Sequence, residues 1–391
     1  MFDAVDKGHS VAKFDQTIKE AGGVSVARFP NGVLFWVVNS VFDSIKSYVD
    51  KGASFVFDAR GNNVLLNTFV FGILPTVIFF ASLMAVLYHL GIMQRLVRAM
   101  AWVMQKTLGT SGPESMAAAA NVLVGHTEAP LVVRPYIENM TRSELNALMV
   151  GGFATISGSL MVVFVQSGIS AGHLLTASLI SAPAALVIAK IMQPETEPAR
   201  LADPIEAINE SEENNAINVI EAAAIGASDG VKLAINIAAM LIAFLALLAM
   251  FDAILYGVGE MAEWWSINGL FSILFFPLAW VMGIETADCG IAGELLGKKV
   301  SVNEFVAYLD MATYIDDEGP RISERTQVIL TYALCGFSNF GAIGIQIGGI
   351  GPLAPSRRSD LAQLGLRAMF GGMLAACMTA CMAGMMFGVL R

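Results

Sequence analysis

Three charge-free apolar runs decide the solvent in which this chain folds. Residues 68–88, 235–251 and 368–390 contain no Asp, Glu, Lys or Arg. Each approaches the ~20 residues a helix needs to cross the hydrocarbon core of a bilayer. Only 14% of the 391 residues are charged, where a soluble domain carries about 25%. Lipid rather than water therefore surrounds most of the fold, and a soluble enzyme is excluded on that ground.

In such a chain a polar interruption of an apolar stretch is informative. Gly125-His126-Thr127-Glu128-Ala129-Pro130 follows residues 117–124, which are apolar except for Asn121, and precedes Leu131-Val132-Val133. A carboxylate between apolar arms is costly in a membrane unless it binds something. Broken hydrophobic segments are the sequence mark of transporter binding sites. A second interrupted segment, 283–315, is broken at 297–304, and a span at 326–350 is broken at 336–341. Residues 144–166 have a weak centre, with Gly151-Gly152 and Thr155-Ile156-Ser157-Gly158. Plain spans are expected at 64–90, 173–192, 232–255 and 362–389.

Each half thus runs interrupted hairpin, span with a polar centre, plain span. The single crossing between them inverts the second half. Sites in such inverted repeats lie at the midplane where broken helices meet, and irregular backbone at that depth lines a cavity or is covered by protein. The expected fold is an all-α membrane protein: an inverted-repeat secondary transporter with two re-entrant helical hairpins and broken helices. The divisions are 1–60 (polar N-terminus and interfacial helix), 61–112 (scaffold helix and interfacial helix), 113–193 (first repeat), 194–228 (acidic cytoplasmic linker and interfacial helix), 229–257 (scaffold helix) and 258–391 (second repeat).

The net charge of −10 is solvated loop charge. Residues 195–213 hold seven acids and one arginine, and Asp316-Asp317-Glu318 is a second cluster. No basic tract suggests nucleic acid. No Gly-rich loop ends in Lys-Ser/Thr, so direct ATP use is not indicated. The four cysteines lack zinc-ligand spacing. One side of the chain collects Arg95, Arg98, Lys106, Arg142, Lys190, Arg200, Arg357 and Arg358, and the other Arg321 and Arg325. The positive-inside rule places the first side in the cytoplasm, so the C-terminus is external. Residues 1–28 show no signal peptide. The first clear span then starts outside, so either residues 31–49 cross or upstream helices are missing.

Four motifs carry a family resemblance. Asn121-Val122-Leu123-Val124-Gly125-His126-Thr127-Glu128-Ala129-Pro130-Leu131 resembles the first-hairpin signature of the concentrative nucleoside transporters. Gly297-Lys298-Lys299 followed by Asn303-Glu304-Phe305-Val306-Ala307-Tyr308 is similar to that family's second-hairpin element. Ala333-Leu334-Cys335-Gly336-Phe337-Ser338-Asn339 and Leu353-Ala354-Pro355-Ser356-Arg357-Arg358 are similar to its next two. The resemblance covers the chain from about residue 60 onward. It implies a homotrimer in the plasma membrane, the inner membrane of a bacterium. It also implies sodium- or proton-driven uptake of uridine-like nucleosides by alternating access, with no catalysis and no cofactor beyond the coupling ion.

A buried nucleoside site must match base-edge donors and acceptors and ribose hydroxyls, or lose about 1–3 kcal/mol for each unmet group. The resemblance assigns His126, Thr127 and Glu128 to the base edge, Leu160 to an apolar base contact and Glu304 to ribose. It adds Asn339 as a ribose amide, Phe337 as an aromatic contact and Ala342 where a ribose-reaching Ser is common. Helix capping at the hairpin tips is the competing role for Glu128 and Glu304, with a Lys299 salt bridge a further one for Glu304. Glu285 and Asp288 share a face at the start of the second hairpin, where acids suit a helix N-terminus; coupling or gating is the other role open to them. The family's sodium site maps to Asn121, Val124, Thr155 and Ile156, with Val124 and Ile156 acting through backbone oxygen. Oxygen donors of this kind suit a hard cation, and Asn121 favours sodium over protons.

Two positions depart from the family. His126 replaces Gln or Gly, and neutral His offers one donor and one acceptor at different angles; it also charges at about pH 6.5 when unperturbed. Ala342 removes a hydroxyl. Altered nucleoside preference is the expectation. The competing functions are proton coupling through Glu128, Glu285, Asp288 or Glu304, and a nucleoside-binding membrane sensor that does not transport.

Overall fold

The computed structural model describes residues 48–49, 51–56, 69–126, 128–197, 216–258, 266–315 and 322–389. The expectations for Thr127, for most of 1–60, for most of the acidic stretch 195–213 and for residues 316–318 lie outside the described residues. Among those described there is helix and no strand.

Helix α1 (Phe69–His89) leads through Gly91 into α2 (Ile92–Leu108), the two bent by 77°. Helix α3 (Gly112–Leu123) is followed by two short turns, Ala129–Val132 and Arg134–Ile137. Then come α4 (Arg142–Ala154), α5 (Gly158–Gln166), α6 (Ala171–Met192) and the long α7 (Val219–Val258). The remainder is α8 (Ile267–Val281), α9 (Cys289–Ser301), α10 (Glu304–Thr313), α11 (Glu324–Leu334), α12 (Phe340–Ile350) and α13 (Arg358–Val389). Helix α6 and the run Pro355–Phe387 are each long and apolar enough to cross a membrane. The order after α2 repeats: a helix ending at a break (α3, then α9), a helix broken in two (α4–α5, then α11–α12), and a long helix (α6, then α13).

Helix starts are set by local chemistry. Ser111 and Glu114 form a capping box on α3, with the Ser111 N–H donating to Glu114 Oε1 at 2.7 Å. Thr141 and Glu144 do the same on α4. Each box satisfies two orphan N–H groups. The same end is pinned by Lys190 at the finish of α6, which pairs with Glu114 at 2.7 Å and donates to Ser143 at 3.1 Å. Arg357, just before α13, donates to the carbonyls of Glu138 and Met140. A separate set joins the starts of α9 and α11: Asp288 Oδ2 accepts from the Ser323 N–H at 3.0 Å, and Arg325 donates to the Gly283 carbonyl. Asp288 stands at the N-cap of α9 without capping it.

Three sequence expectations change. The break expected at 297–304 is only Val302-Asn303, because α9 runs on to Ser301. Gly297 is not a turn residue: a Cβ there would lie 2.2 Å from Phe271 Cγ. Its role is close approach to α8, an apolar 15-residue helix the periodicity did not separate. The span expected at 232–255 begins at Val219, since Gly226 and Gly230 let α7 lie against the α1 backbone. Cβ atoms at these two positions would fall 2.6 Å from Ala81 O and 2.7 Å from Ile78 Cα.

Candidate functional site

The helix breaks converge on a cavity of about 800 Å³. One wall is built from four interruptions and the helix starts beside them: Gly125, His126 and Glu128 after α3; Ser157, Gly158 and Leu160 where α5 begins; Asn303, Glu304 and Phe305 where α10 begins; Phe337, Asn339 and Ala342 where α12 begins. The facing wall is α1, α2 and α7, with Tyr88, Gln94, Asp229, Lys232 and Asn236. Every candidate substrate residue among those described lines this space. Glu285 and Asp288 do not.

The second half positions its polar groups through caps. Asn303 caps α10, its Oδ1 accepting from the Val306 N–H at 2.9 Å. Asn339 caps α12, its Oδ1 accepting from the Ala342 N–H at 2.8 Å, while its Nδ2 donates to Glu304 Oε2 at 3.2 Å. Glu304 is buried at the first position of α10, where the helix dipole favours a carboxylate. Glu304 and Lys299 make no direct ion pair; Lys299 donates elsewhere, to the Ala333 and Cys335 carbonyls. At Gly336, φ is +114°, a backbone that favours glycine, and a Cβ would meet Phe153 O at 2.5 Å. Ser338 Oγ donates to that same carbonyl at 2.9 Å. The second broken helix is thereby seated on the first.

In the first half, Glu128 is exposed to the cavity, with Tyr88 and Asp229 close enough to interact with its charge. The His126 ring meets the Phe337 ring edge-on, centroids 4.4 Å apart. Both of its ring nitrogens are buried and lack hydrogen-bond partners. Gly152 admits it, since a Cβ there would lie 2.8 Å from His126 Cβ and 2.7 Å from Gln346 Nε2. Ser157 caps α5 at the Leu160 N–H, as Asn339 caps α12 at the Ala342 N–H, so Leu160 and Ala342 hold the same register position in their two halves.

The four candidate sodium ligands sit at the ends of α3 and α4. Asn121 is 1% exposed, and both its amide atoms are without a hydrogen-bond partner. It abuts Gly151 of α4, where a Cβ would fall 3.0 Å from Asn121 Nδ2. Val124 ends α3 and Thr155 ends α4, both in extended backbone, and Ile156 follows, fully buried. An orphaned amide between two helix ends is a donor set that suits a hard monovalent cation.

Sequence reasoning did not single out Tyr88, Gln94, Asp229 or Lys232. Asp229 and Lys232 pair at 2.8 Å across three residues of α7. The available signal was an acid–base pair at helical spacing beside an otherwise apolar run.

Residues 173–384 match the family described as Na+ dependent nucleoside transporter C-terminus, and residues 70–171 match one described as nucleoside recognition. An uncharacterized transporter of Haemophilus influenzae is 47% identical over 88% of this chain and 84% of its own length. Sodium/nucleoside cotransporter 1 of Mus musculus is 40% identical over 92% of this chain but 56% of its own length. Solute carrier family 28 member 3 of Eptatretus stoutii is 44% identical over 87% of this chain and 51% of its own length. The chain therefore spans about half of these vertebrate relatives. The solved structure of CNTnw in an inward-facing substrate-bound state superposes with a TM-score of 0.86 at 42% identity, covering 92% of this chain and 87% of that one. The motifs, the fold and these likenesses agree: the chain belongs to the Na+-dependent nucleoside transporter family.

Proposed function

We propose that this chain is a secondary active transporter that imports nucleosides across the bacterial inner membrane, driven by sodium, by alternating access of two inverted repeats in a homotrimer. One observation carries the reading: Glu128 and Glu304, one from each half, line a single cavity together with Ser157, Asn303 and Asn339 of the helix breaks. His126 beside them is buried with both ring nitrogens unpartnered, as suits a group that a ligand completes. Glu304 and Asn339 suit ribose hydroxyls, since a carboxylate accepts two hydrogen bonds and an amide both donates and accepts. Phe337 and Leu160 suit the faces of a base. Thr127 and Glu128 are assigned to the base edge. Asn121, Val124, Thr155 and Ile156 are assigned to sodium, which would tie the end of α3 to the break after α4 and so order the base-edge residues between them.

The facing wall includes the α1–α2 turn and the start of α7. Their side carries Arg95 and Arg98, which by the positive-inside rule supports reading the cavity as facing the cytoplasm. Exposed Ile235, Ile242, Phe251, Ile273 and Trp280 on α7 and α8 suit lipid or a neighbouring subunit.

The test is uptake of labelled uridine, adenosine and inosine into proteoliposomes under separately imposed sodium and proton gradients. Accumulation of at least one of them under the sodium gradient alone is expected. Accumulation driven by protons alone would transfer the coupling to the carboxylates. Binding without exchange in counterflow would make the protein a sensor.

A further inference from the structure

Among the described residues, Lys299 is a fully buried charge that the proposed cycle does not use. It is 1% exposed, in the last turn of α9. Its ammonium donates to Ala333 O at 2.8 Å and to Cys335 O at 3.2 Å, the carbonyls that end α11 at its break. An unpaired ammonium in an apolar interior is costly. Here it is offset by carbonyls at a helix C-terminus, which carry partial negative charge, and by Glu304, close enough to interact with it electrostatically.

The position of Lys299 within its repeat gives it a meaning. Asn121 stands two residues before the end of α3 at Leu123, and Lys299 two residues before the end of α9 at Ser301. The C-cap of α3 is Val124 and that of α9 is Val302. The helix opposite Asn121 ends at the C-cap Thr155, and the helix opposite Lys299 ends at the C-cap Cys335. The two side chains thus occupy one register position on matching elements, each against the end of a broken helix. In the first repeat the side chain is a neutral amide with both polar atoms unmatched. In the second it is a cation that already holds the helix end.

We infer that Lys299 is a tethered cation, filling in the second repeat the place that a dissociable sodium fills in the first, so that each cycle moves one sodium per nucleoside. The inference rests on the sodium reading of Asn121. Lys299 acts as a positioning residue: it fixes the α11–α12 break, and with it Phe337 and Asn339, at all sodium concentrations. Ribose recognition is therefore permanently assembled, while base recognition waits for the ion.

The experiment has two arms. In proteoliposomes of the wild-type protein, the ratio of labelled sodium to labelled uridine taken up is expected to be one; two would overturn the inference. In purified Lys299→Asn protein, uridine binding is titrated with sodium. Its affinity at low sodium should fall about tenfold and its sodium dependence should steepen, the Hill coefficient rising from about 1 toward 2 as a second site opens. An unchanged hyperbolic dependence at unchanged affinity would overturn the inference. If Lys299→Asn does not fold, the wild-type ratio decides alone. The coupling reading fails separately, and visibly, if wild-type binding and uptake ignore sodium.

Discussion

The two halves of the molecule use one backbone device and load it differently. Each sets the end of one helix against the break of another. In the first half the contact is left short of a charge: Asn121 is buried with its amide unmatched, and His126, past the end of the same helix, has both ring nitrogens unmatched. In the second half the contact is closed by the protein itself, through Lys299 on two carbonyls and Asn339 on Glu304. Unmatched buried polar groups cost about 1–3 kcal/mol each, so under the proposed function the first half is the part of the site held open for ligands. The second half, closed by its own hydrogen bonds, is the part against which they would be read.

The largest expected effect tests this closed part. Glu304→Gln keeps the shape and removes the charge that Asn339 and the α10 N-terminus are arranged to hold. Hydrogen bonds to charged groups contribute about 1.5–3 kcal/mol, so uridine affinity measured by calorimetry in detergent should fall by up to about a hundredfold. A change below threefold would show that the second half does not read the ligand.

The next effect separates packing glycines from idle ones. Gly297→Ala drives a Cβ to 2.2 Å from Phe271, and overpacking of this kind costs about 1–3 kcal/mol. Gly344→Ala meets nothing within 4 Å and should stabilise α12 by up to about 1 kcal/mol through helix propensity. Thermal unfolding of the two variants in detergent should move in opposite directions; a common direction would undo the account of the α8–α9 contact.

The smallest effect addresses the open part. His126→Gln restores the family's amide where the imidazole meets Phe337. The ranking of uridine, adenosine and inosine affinities should shift by about fivefold, the scale of one hydrogen bond of about 1 kcal/mol. An unchanged ranking would make His126 a packing residue of the Phe337 contact.

The share of the cavity lining that comes from the helix breaks was legible because the chemistry and the breaks coincide in sequence. Cys335-Gly336-Phe337-Ser338-Asn339 announced a break, and Thr155-Ile156-Ser157-Gly158 a weak centre, though neither announced the caps that Asn339 and Ser157 supply. Glycines inside helices were not legible. Gly226, Gly230 and Gly297 look like punctuation in one dimension, yet each marks where a second helix presses close. That depends on a partner distant in sequence, and overlooking α8 and misplacing the α9 break were one error. The facing wall of the cavity was hidden for a related reason: Tyr88, Gln94 and Asp229 belong to helices that carry no motif and reach the site only through the packing of α7 on α1.

Under the proposed coupling, sodium completes the first half and thereby makes the cavity competent for nucleoside. Uridine affinity titrated against sodium, for the wild type and for Asn121→Leu, tests it most directly. The wild-type dissociation constant should fall at least about tenfold as sodium rises, the scale of a typical coupling between two sites, while Asn121→Leu stays weak and flat. Wild-type affinity that does not respond to sodium, or an Asn121→Leu protein that responds as the wild type does, would contradict it.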